Sequence, residues 1–130
     1  MKEIPVGATL TNEVKVEKHM LACSVGSGTI EVYATPMMIA LIEGTAHACI
    51  APYLDEDETS VGTLVHVSHS AATPEGMCVS ATATVTSVNG RAVEFAVIAR
   101  DEAGDIGSGT HARFVVQTER FLTKTKAKLR

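Results

Sequence analysis

Apolar and polar residues alternate along several stretches of the chain, with the period of two that is typical of half-buried strands. Within Thr9–Val16, apolar side chains such as Leu10 and Val14 are separated by polar ones, which predicts a first strand. The following residues, Glu17–Thr29, show no sustained period and contain two glycines, so they predict a loop. A loop of this length in a compact domain is commonly a lid or a binding loop.

Longer alternating stretches fill the second half of the chain and predict four more strands. These strands cover Thr63–Ser70, Met77–Val88, Arg91–Asp101 and Ile106–Thr118. Turn residues separate them, which indicates consecutive antiparallel hairpins. The pair Asn89-Gly90 predicts a type I′ turn, because that turn needs positive φ at both central residues and Asn and Gly tolerate it best.

One helix is predicted between the first strand and these hairpins. Thr35 is a favourable N-cap residue, and Pro36 suits the first helical position. Nearly every residue from there to Pro52 is apolar or small, so we expect a helix that is buried on all sides. Glu43 is the only carboxylate in this stretch.

The predicted order is therefore strand, loop, helix and four antiparallel strands. The 130 residues amount to about one domain, so residues 1–130 are expected to form a single unit. A long buried helix needs cover on every side, and a strongly curved five-stranded sheet wrapped around it provides that cover. The fold class is α+β, in the hotdog arrangement.

Composition and charge exclude several classes of function. The chain has 15 Asp and Glu against 11 Lys and Arg, a net charge of −4, so it repels a polyphosphate backbone. It has two Tyr, three Phe and no Trp, which is few for a surface that stacks on bases, and we expect no nucleic-acid partner. No apolar run approaches the ~20 residues of a membrane span. Three widely spaced cysteines fit reduced thiols, so we expect a cytoplasmic protein.

The last eleven residues, 120–130, form a basic tail on this acidic chain. They contain five Lys and Arg and no acid, namely Arg120, Lys124, Lys126, Lys128 and Arg130. Short basic termini are commonly solvated and frayed. Alternatively, these side chains bind a phosphate-rich ligand such as coenzyme A.

The five histidines and three cysteines raise the question of a zinc site. His66 and His69 are three residues apart on a predicted strand, so their side chains are expected to point to opposite faces. Glu43 and His47, four residues apart, share one face of the helix, but no third ligand accompanies them. We predict neither a metal nor a separate cofactor.

Three polar residues stand out within otherwise apolar or small surroundings: Thr35, Glu43 and His69. Each also has a purely structural explanation. Thr35 can be a helix cap, Glu43 a hydrogen-bonded buried acid and His69 a surface residue of a strand. A buried carboxylate is costly unless it is paired or protonated, however, and functional acids and bases concentrate at such positions. Their coincidence favours a catalytic site.

Three segments of the chain resemble the fluoroacetyl-CoA thioesterase family of hotdog proteins: ATPMMIALIEGTAHACIAPYL, VGTLVHVSHSAATPEG and GDIGSGTHARFVV. In that family a Thr, a Glu and a His are catalytic, a Gly backbone N–H helps to hold the thioester carbonyl, and an Arg lies at the active site. By motif, these residues are Thr35, Glu43, His69, Gly62 and Arg113.

The resemblance implies an acyl-CoA thioesterase for a small acyl group, with coenzyme A as part of the substrate. Before the helix the chain has the small residues SVGSGTIEV and no Phe, so the aromatic cover over the acyl group is missing. The resemblance therefore does not extend to selectivity for fluoroacetyl-CoA. The alternatives are a non-catalytic acyl-CoA sensor on the same fold and, third, a dehydratase, for which no obvious Asp–His pair is present.

Thioester cleavage needs a nucleophile, a base and a donor for the oxyanion. Thr35 can attack or bind the attacking water, and His69 can take its proton. Glu43 can orient the imidazole, activate water or attack the acyl group itself. Gly62 can donate its N–H to the carbonyl oxygen. Arg113 can bind a phosphate or an acyl carboxylate, or it is an exposed strand charge.

The spacing of two of these residues also bears on assembly. Thr35 and Glu43 are eight residues apart, so on one helix their backbones are separated by about 12 Å. They cannot readily meet within one chain. A homodimer with two equivalent sites, each built from both subunits, would bring them together.

Overall fold

A computed structural model describes residues 1–129, and its central feature is one antiparallel sheet that curls around one helix. The strands are β1 (Thr9–Lys15), β2 (Glu58–Val67), β3 (Cys78–Asn89), β4 (Ala92–Asp101) and β5 (Gly104–Gln117). The helices are α1 (Ala22–Val25), α2 (Thr35–Ile50) and α3 (Thr118–Lys126). The sheet order is β1-β3-β4-β5-β2, so β1 and β2 form the two edges. The predicted five strands and central helix are confirmed. The expectation of consecutive hairpins is wrong for β2, which pairs with β5 and not with β3.

The core lies between α2 and the concave face of the sheet. Met38, Ile42, Ala46 and Ile50, each four residues from the next, are completely buried along one side of α2. They meet the inward-facing side chains of β3 and β4, which are mostly Ala and Val with one Phe: Val79, Ala81, Ala83, Val85, Val93, Phe95, Val97 and Ala99. Burying a large aliphatic side chain contributes roughly 1.5–3 kcal/mol, so this one-sided packing fixes which face of α2 turns away from the sheet.

The opposite side of α2 is open. Ala40 and Gly44 are exposed there, and Glu43 and His47 are half-buried. The expectation of a helix buried on all sides is therefore wrong for the single chain. Small residues such as Ala40 and Gly44 suggest a buried helix face in the sequence, although no strand of the same chain covers that face. None of the helices within residues 1–129 has the length and apolarity needed to cross a membrane.

The start of α2 differs from the predicted cap. The N-cap position is Ala34, and Thr35 is already the first helical residue, with Pro36 after it. No side chain caps this end of the helix. The hydroxyl of Thr35 makes a hydrogen bond outside its own helix, so it is free for a role other than capping.

The segment Glu17–Thr29 is more ordered than the predicted loop. It contains a short 3-10 turn, Lys18–Met20, and the single-turn helix α1. Gly26 ends α1 with a φ of 87°, a left-handed conformation in which glycine avoids the steric cost of a Cβ. The segment shows no hydrophobic period because its helical elements are too short to display one.

The β3–β4 hairpin does not have the predicted turn. Asn89 belongs to β3 and pairs with Ala92, so the two turn residues are Gly90 and Arg91. Of these two turn residues, Gly90 alone has a positive φ, of 63°. A glycine with positive φ at the first central position is the pattern of a type II′ turn rather than type I′.

The basic tail forms a helix over most of its length, so the expectation of a frayed terminus is wrong for α3. The side chain of Gln117 accepts a hydrogen bond of 2.7 Å from the backbone N–H of Arg120, which caps the helix. Lys124 and Lys126 lie in its last turn, where cations interact favourably with the helix dipole.

Candidate active site

His69 and Thr35 form the first polar contact of the candidate site. His69 lies two residues beyond the end of β2, so the expectation that it shares a strand with His66 is wrong. Its Nδ1 is 2.7 Å from the Oγ1 of Thr35. Burial lowers the pKa of His69, which favours the neutral ring. When the ring is neutral and Thr35 donates to Nδ1, the proton resides on Nε2.

The Nε2 atom of His69 is buried and has no hydrogen-bond partner within residues 1–129. An unpartnered buried polar atom costs free energy, so it marks a place where a substrate, a water or another subunit is expected to bind. A cavity of about 290 Å³ adjoins His69 and Thr35. Its walls also include Ala22 and Ser27, which lie in the segment predicted as a binding loop.

Glu43 and Gly62 form a second contact, on the open side of α2. A Cβ placed on Gly62 would lie 2.6 Å from Oε2 of Glu43, closer than a real side chain allows. With the Glu43 carboxylate in this position, β2 can approach it so closely only because residue 62 lacks a Cβ. The backbone of Gly62 therefore runs beside the Glu43 carboxylate, and its expected role as a donor to the thioester carbonyl stays a prediction.

Arg113 is buried, so its interpretation as an exposed strand charge is wrong. Its Nε donates to Oγ of Ser60 at 2.8 Å, and NH2 donates to the carbonyl oxygen of Ser60 at 2.9 Å. NH1 lies 3.2 Å from Nε2 of His111 and 3.6 Å from Oε2 of Glu43. Most of the guanidinium is thus occupied inside the protein, and its remaining partner is the candidate catalytic carboxylate.

Two members of this cluster, Ser60 and His111, were missed by the sequence analysis. Ser60 is two residues before Gly62 on β2, and His111 is two residues before Arg113 on β5, so each pair shares one face of its strand. That spacing was the available signal. Both residues are almost completely buried, and the side chain of each accepts a hydrogen bond from Arg113.

The two contacts lie in different cavities of the chain. Glu43 borders a cavity of about 460 Å³, together with Ala40, Gly44, His47, Ser60 and Arg113. No residue that lines this cavity also lines the one at Thr35 and His69. The structure therefore assembles the predicted residues into two groups, Thr35 with His69 and Glu43 with Gly62 and Arg113.

The chemistry of these groups is that of acids, bases and hydrogen-bond donors. Across residues 1–129 there is no group of three or more His, Cys, Asp or Glu side chains arranged to hold a metal ion. A hydroxyl bonded to a neutral imidazole can be activated for attack, and a carboxylate can act as a base or orient one.

Comparison with known proteins identifies relatives with this chemistry. The profile of the fluoroacetyl-CoA-specific thioesterase family matches residues 16–119. The chain is 45% identical over 98 residues to a fluoroacetyl-CoA thioesterase from Streptantibioticus cattleyicolor, which covers 75% of this chain and 70% of that protein.

Solved structures agree with the fold. The structure of a fluoroacetyl-CoA thioesterase superposes with a TM-score of 0.94 at 36% identity, over 99% of this chain and 100% of that one. A hot-dog-like protein from Thermanaerovibrio acidaminovorans superposes with a TM-score of 0.87 at 25% identity, over 97% of this chain and 93% of that one. The predicted hotdog fold is confirmed.

Proposed function

The chain belongs to the fluoroacetyl-CoA-specific thioesterase family, and we propose that it hydrolyses small acyl-CoA thioesters at a site shared between two subunits. The observation that carries this proposal is the hydrogen bond between Thr35 and His69 at one cavity, together with the close approach of Gly62 to Glu43, which lines another. Each pair supplies half of what thioester cleavage requires.

Thr35 and His69 supply the nucleophilic half. The short bond between Oγ1 and Nδ1 lets the imidazole accept a proton from the hydroxyl, or from a water that the hydroxyl holds, as attack on the carbonyl proceeds. The protonated ring then returns that proton to the departing thiolate. On the route in which Thr35 attacks, a water then hydrolyses the acyl-threonine, which releases the acid and restores the hydroxyl. The lowered pKa of His69 keeps the ring neutral before the reaction, so it begins as a base.

Glu43 and Gly62 supply the electrostatic half. The backbone N–H of Gly62 stabilises the negative charge that develops on the thioester oxygen. Glu43 accepts the Nε2–H of His69 from the other subunit, which orients the imidazole and stabilises its charged form. Arg113 lies 3.6 Å from Glu43 and holds the carboxylate in place.

A homodimer brings these halves together. The backbones of Thr35 and Glu43 are about 12 Å apart along α2, so one chain cannot join them directly. Two surfaces support a second copy: the open stripe of α2 at Ala40 and Gly44, and the edge strand β2, where Leu64 is 58% exposed and Val65 is 36% exposed. A two-fold dimer would create two equivalent sites.

The helix α3 is a candidate for the phosphates of coenzyme A. Arg120 and Lys124 line a groove of about 260 Å³ with Phe114 and Phe121. Cations beside apolar ring faces suit a ligand that combines phosphate with an aromatic base. Replacing Lys124 with Glu should raise KM for an acyl-CoA more than for the matching acyl-pantetheine, whereas the exposed control Lys15→Glu on β1 should leave this ratio unchanged.

The second candidate function is a non-catalytic acyl-CoA sensor in the cytoplasm. The cytoplasmic location is supported by three free cysteines, of which Cys49 is buried. The hydrogen bond between Thr35 and Nδ1 of His69 favours catalysis over sensing, because a site that only binds acyl-CoA does not need a base paired with a hydroxyl.

A hydrolysis screen over short, branched and aromatic acyl-CoAs, read as release of free thiol, tests the proposal. We expect turnover of small acyl groups without strong preference for fluoroacetyl-CoA, because small residues take the place of an aromatic cover before α2. Binding of acyl-CoA without turnover of any substrate would instead establish the sensor.

A further inference from the structure

His47 is a polar, titratable residue of the Glu43 cavity that the proposed mechanism does not use. It lies one helical turn after Glu43 on the same face of α2 and lines the same cavity. Its Nδ1 is 3.0 Å from Oγ of Ser60. The arrangement of the surrounding hydrogen bonds determines which ring nitrogen of His47 carries the proton.

The donor and acceptor in each of these hydrogen bonds can be deduced from Arg113, because its guanidinium group can only donate. Its Nε donates to Oγ of Ser60, so that oxygen acts as an acceptor there. The hydroxyl proton of Ser60 is buried and needs an acceptor of its own, which Nδ1 of His47 provides. The neutral His47 ring therefore carries its proton on Nε2.

His111 confirms that the cluster holds neutral imidazoles. Its Nδ1 donates to the carbonyl oxygen of Leu64 at 2.7 Å, which leaves Nε2 to accept from Arg113. Burial, and then the charge of Arg113, lowers the pKa of His47. Both rings are consequently neutral near pH 7, and each has a defined donor and acceptor side.

The donor side of His47 is open. Its Nε2 has no hydrogen-bond partner within residues 1–129 and is not among the buried atoms. Gly44 adds space beside it, since a Cβ there would meet no atom within 4 Å. The cavity at Glu43 thus presents a fixed donor that no residue of the described part, 1–129, uses.

We propose that the Nε2–H of His47 binds a neutral carbonyl or hydroxyl oxygen of the substrate, located about 6 Å along α2 from the group held at Glu43. The inference rests on the proposed thioesterase function. A carboxylate is disfavoured at this position because Glu43 lies in the same cavity. Two neutral oxygens qualify: one on the acyl chain, as in a 3-hydroxyacyl or 3-oxoacyl group, and the first amide oxygen of pantetheine.

Three substrates distinguish these sources: 3-hydroxybutanoyl-CoA, butanoyl-CoA, and the butanoyl thioester of a simple alkyl thiol, which lacks the amide. With His47→Leu, binding of an acyl oxygen predicts a roughly three- to ten-fold loss of kcat/KM for the hydroxylated substrate alone. Binding of the pantetheine amide predicts the same loss for both CoA esters but not for the alkyl thioester. Either result supports the proposal.

A glutamine keeps both an acceptor and a donor, so His47→Gln should restore part of the loss. His19→Leu, an exposed histidine outside the cavity, is the matched control and should change none of the three rates. Unchanged rates in His47→Leu, or an equal fall for all three substrates, would overturn the proposal. Hydrolysis of butanoyl-CoA by the unmodified protein shows separately whether the thioesterase function itself holds.

Discussion

The Oγ1 of Thr35 and the Nδ1 of His69 are 2.7 Å apart, which joins the first turn of α2 to the segment that follows β2. The contact spans 34 residues of sequence, and it uses the hydroxyl of the first helical residue of α2, which does not cap that helix. The base and the hydroxyl are therefore already paired before any substrate binds.

Removing either partner of this contact should abolish most of the activity. Thr35→Ala and His69→Ala are each expected to lower kcat by at least the ~10² that is typical of lost acid–base catalysis. Thr35→Ser keeps the hydroxyl and should retain most of the rate. Steady-state kinetics beside circular dichroism spectra check this, and a fully active, folded His69→Ala protein would refute the assignment.

Gly62→Ala should impair catalysis while leaving the fold intact. The added Cβ would displace the Glu43 carboxylate, which is the end of a flexible side chain. Gly107→Ala is the contrasting variant, because its Cβ would meet the backbone carbonyl oxygen of Ser68, which cannot move as easily. In thermal unfolding, the melting temperature should fall clearly for Gly107→Ala and change little for Gly62→Ala. Normal kcat/KM in Gly62→Ala would remove the glycine from the site.

The pH dependence of kcat/KM should show an acidic limb below pH 6.5. Burial lowers the pKa of His69 from its usual 6.5, so the ring stays neutral at pH 6.5 and loses its function as a base only as the pH falls through the lower folded-state value. A pH–rate profile between 4 and 9 checks this. An acidic limb centred above 6.5 would contradict a buried neutral base.

Replacing Arg113 should affect stability and kcat rather than KM alone. Arg113→Met leaves the hydroxyl and carbonyl of Ser60 and the Nε2 of His111 without their donor, which is expected to cost at least about 2 kcal/mol. Glu43 also loses its neighbouring cation. Urea unfolding and steady-state kinetics separate the two effects. A changed KM with unchanged stability and kcat would instead make Arg113 a substrate-binding cation.

Glu58 should make the fold sensitive to acid. It accepts from the backbone N–H of Asp55 and pairs with Arg91 and the Met1 amine, and these contacts lower its pKa from 4.5 to about 2. A carboxyl group with a lowered folded-state pKa contributes stability that is fully present above pH 4.5 and lost as the pH falls towards 2. The free-energy difference of unfolding between the natural protein and Glu58→Gln should shrink over that window. Glu56→Gln, at an exposed position, is the control.

The fold was largely predictable because its elements have strong periods. The alternation along β3 and β4 and the apolar run of α2 predicted the strands and the helix within a few residues. The turn at Gly90 was misplaced by one residue, since register depends on pairing across the hairpin, which local propensity does not contain. The short elements between Glu17 and Thr29 have too few residues to show a period.

The site was predictable only through its motifs. Thr35, Glu43 and His69 were visible as polar residues in apolar surroundings, but their division between two cavities depends on how α2 lies across the sheet. The burial of Arg113 was not visible at all, because its partner Ser60 is 53 residues away in the sequence.

The central claim, that each site combines Thr35 and His69 of one subunit with Glu43 of the partner subunit, is tested most directly by complementation. Thr35→Ala and Glu43→Ala chains, each inactive alone, are mixed, and subunit exchange is verified by mass spectrometry. In the heterodimer one site regains a complete set, so activity should return to roughly half that of the natural dimer, because one of two equivalent sites is intact. No recovery after verified exchange would contradict the composite site and place all three residues within one chain.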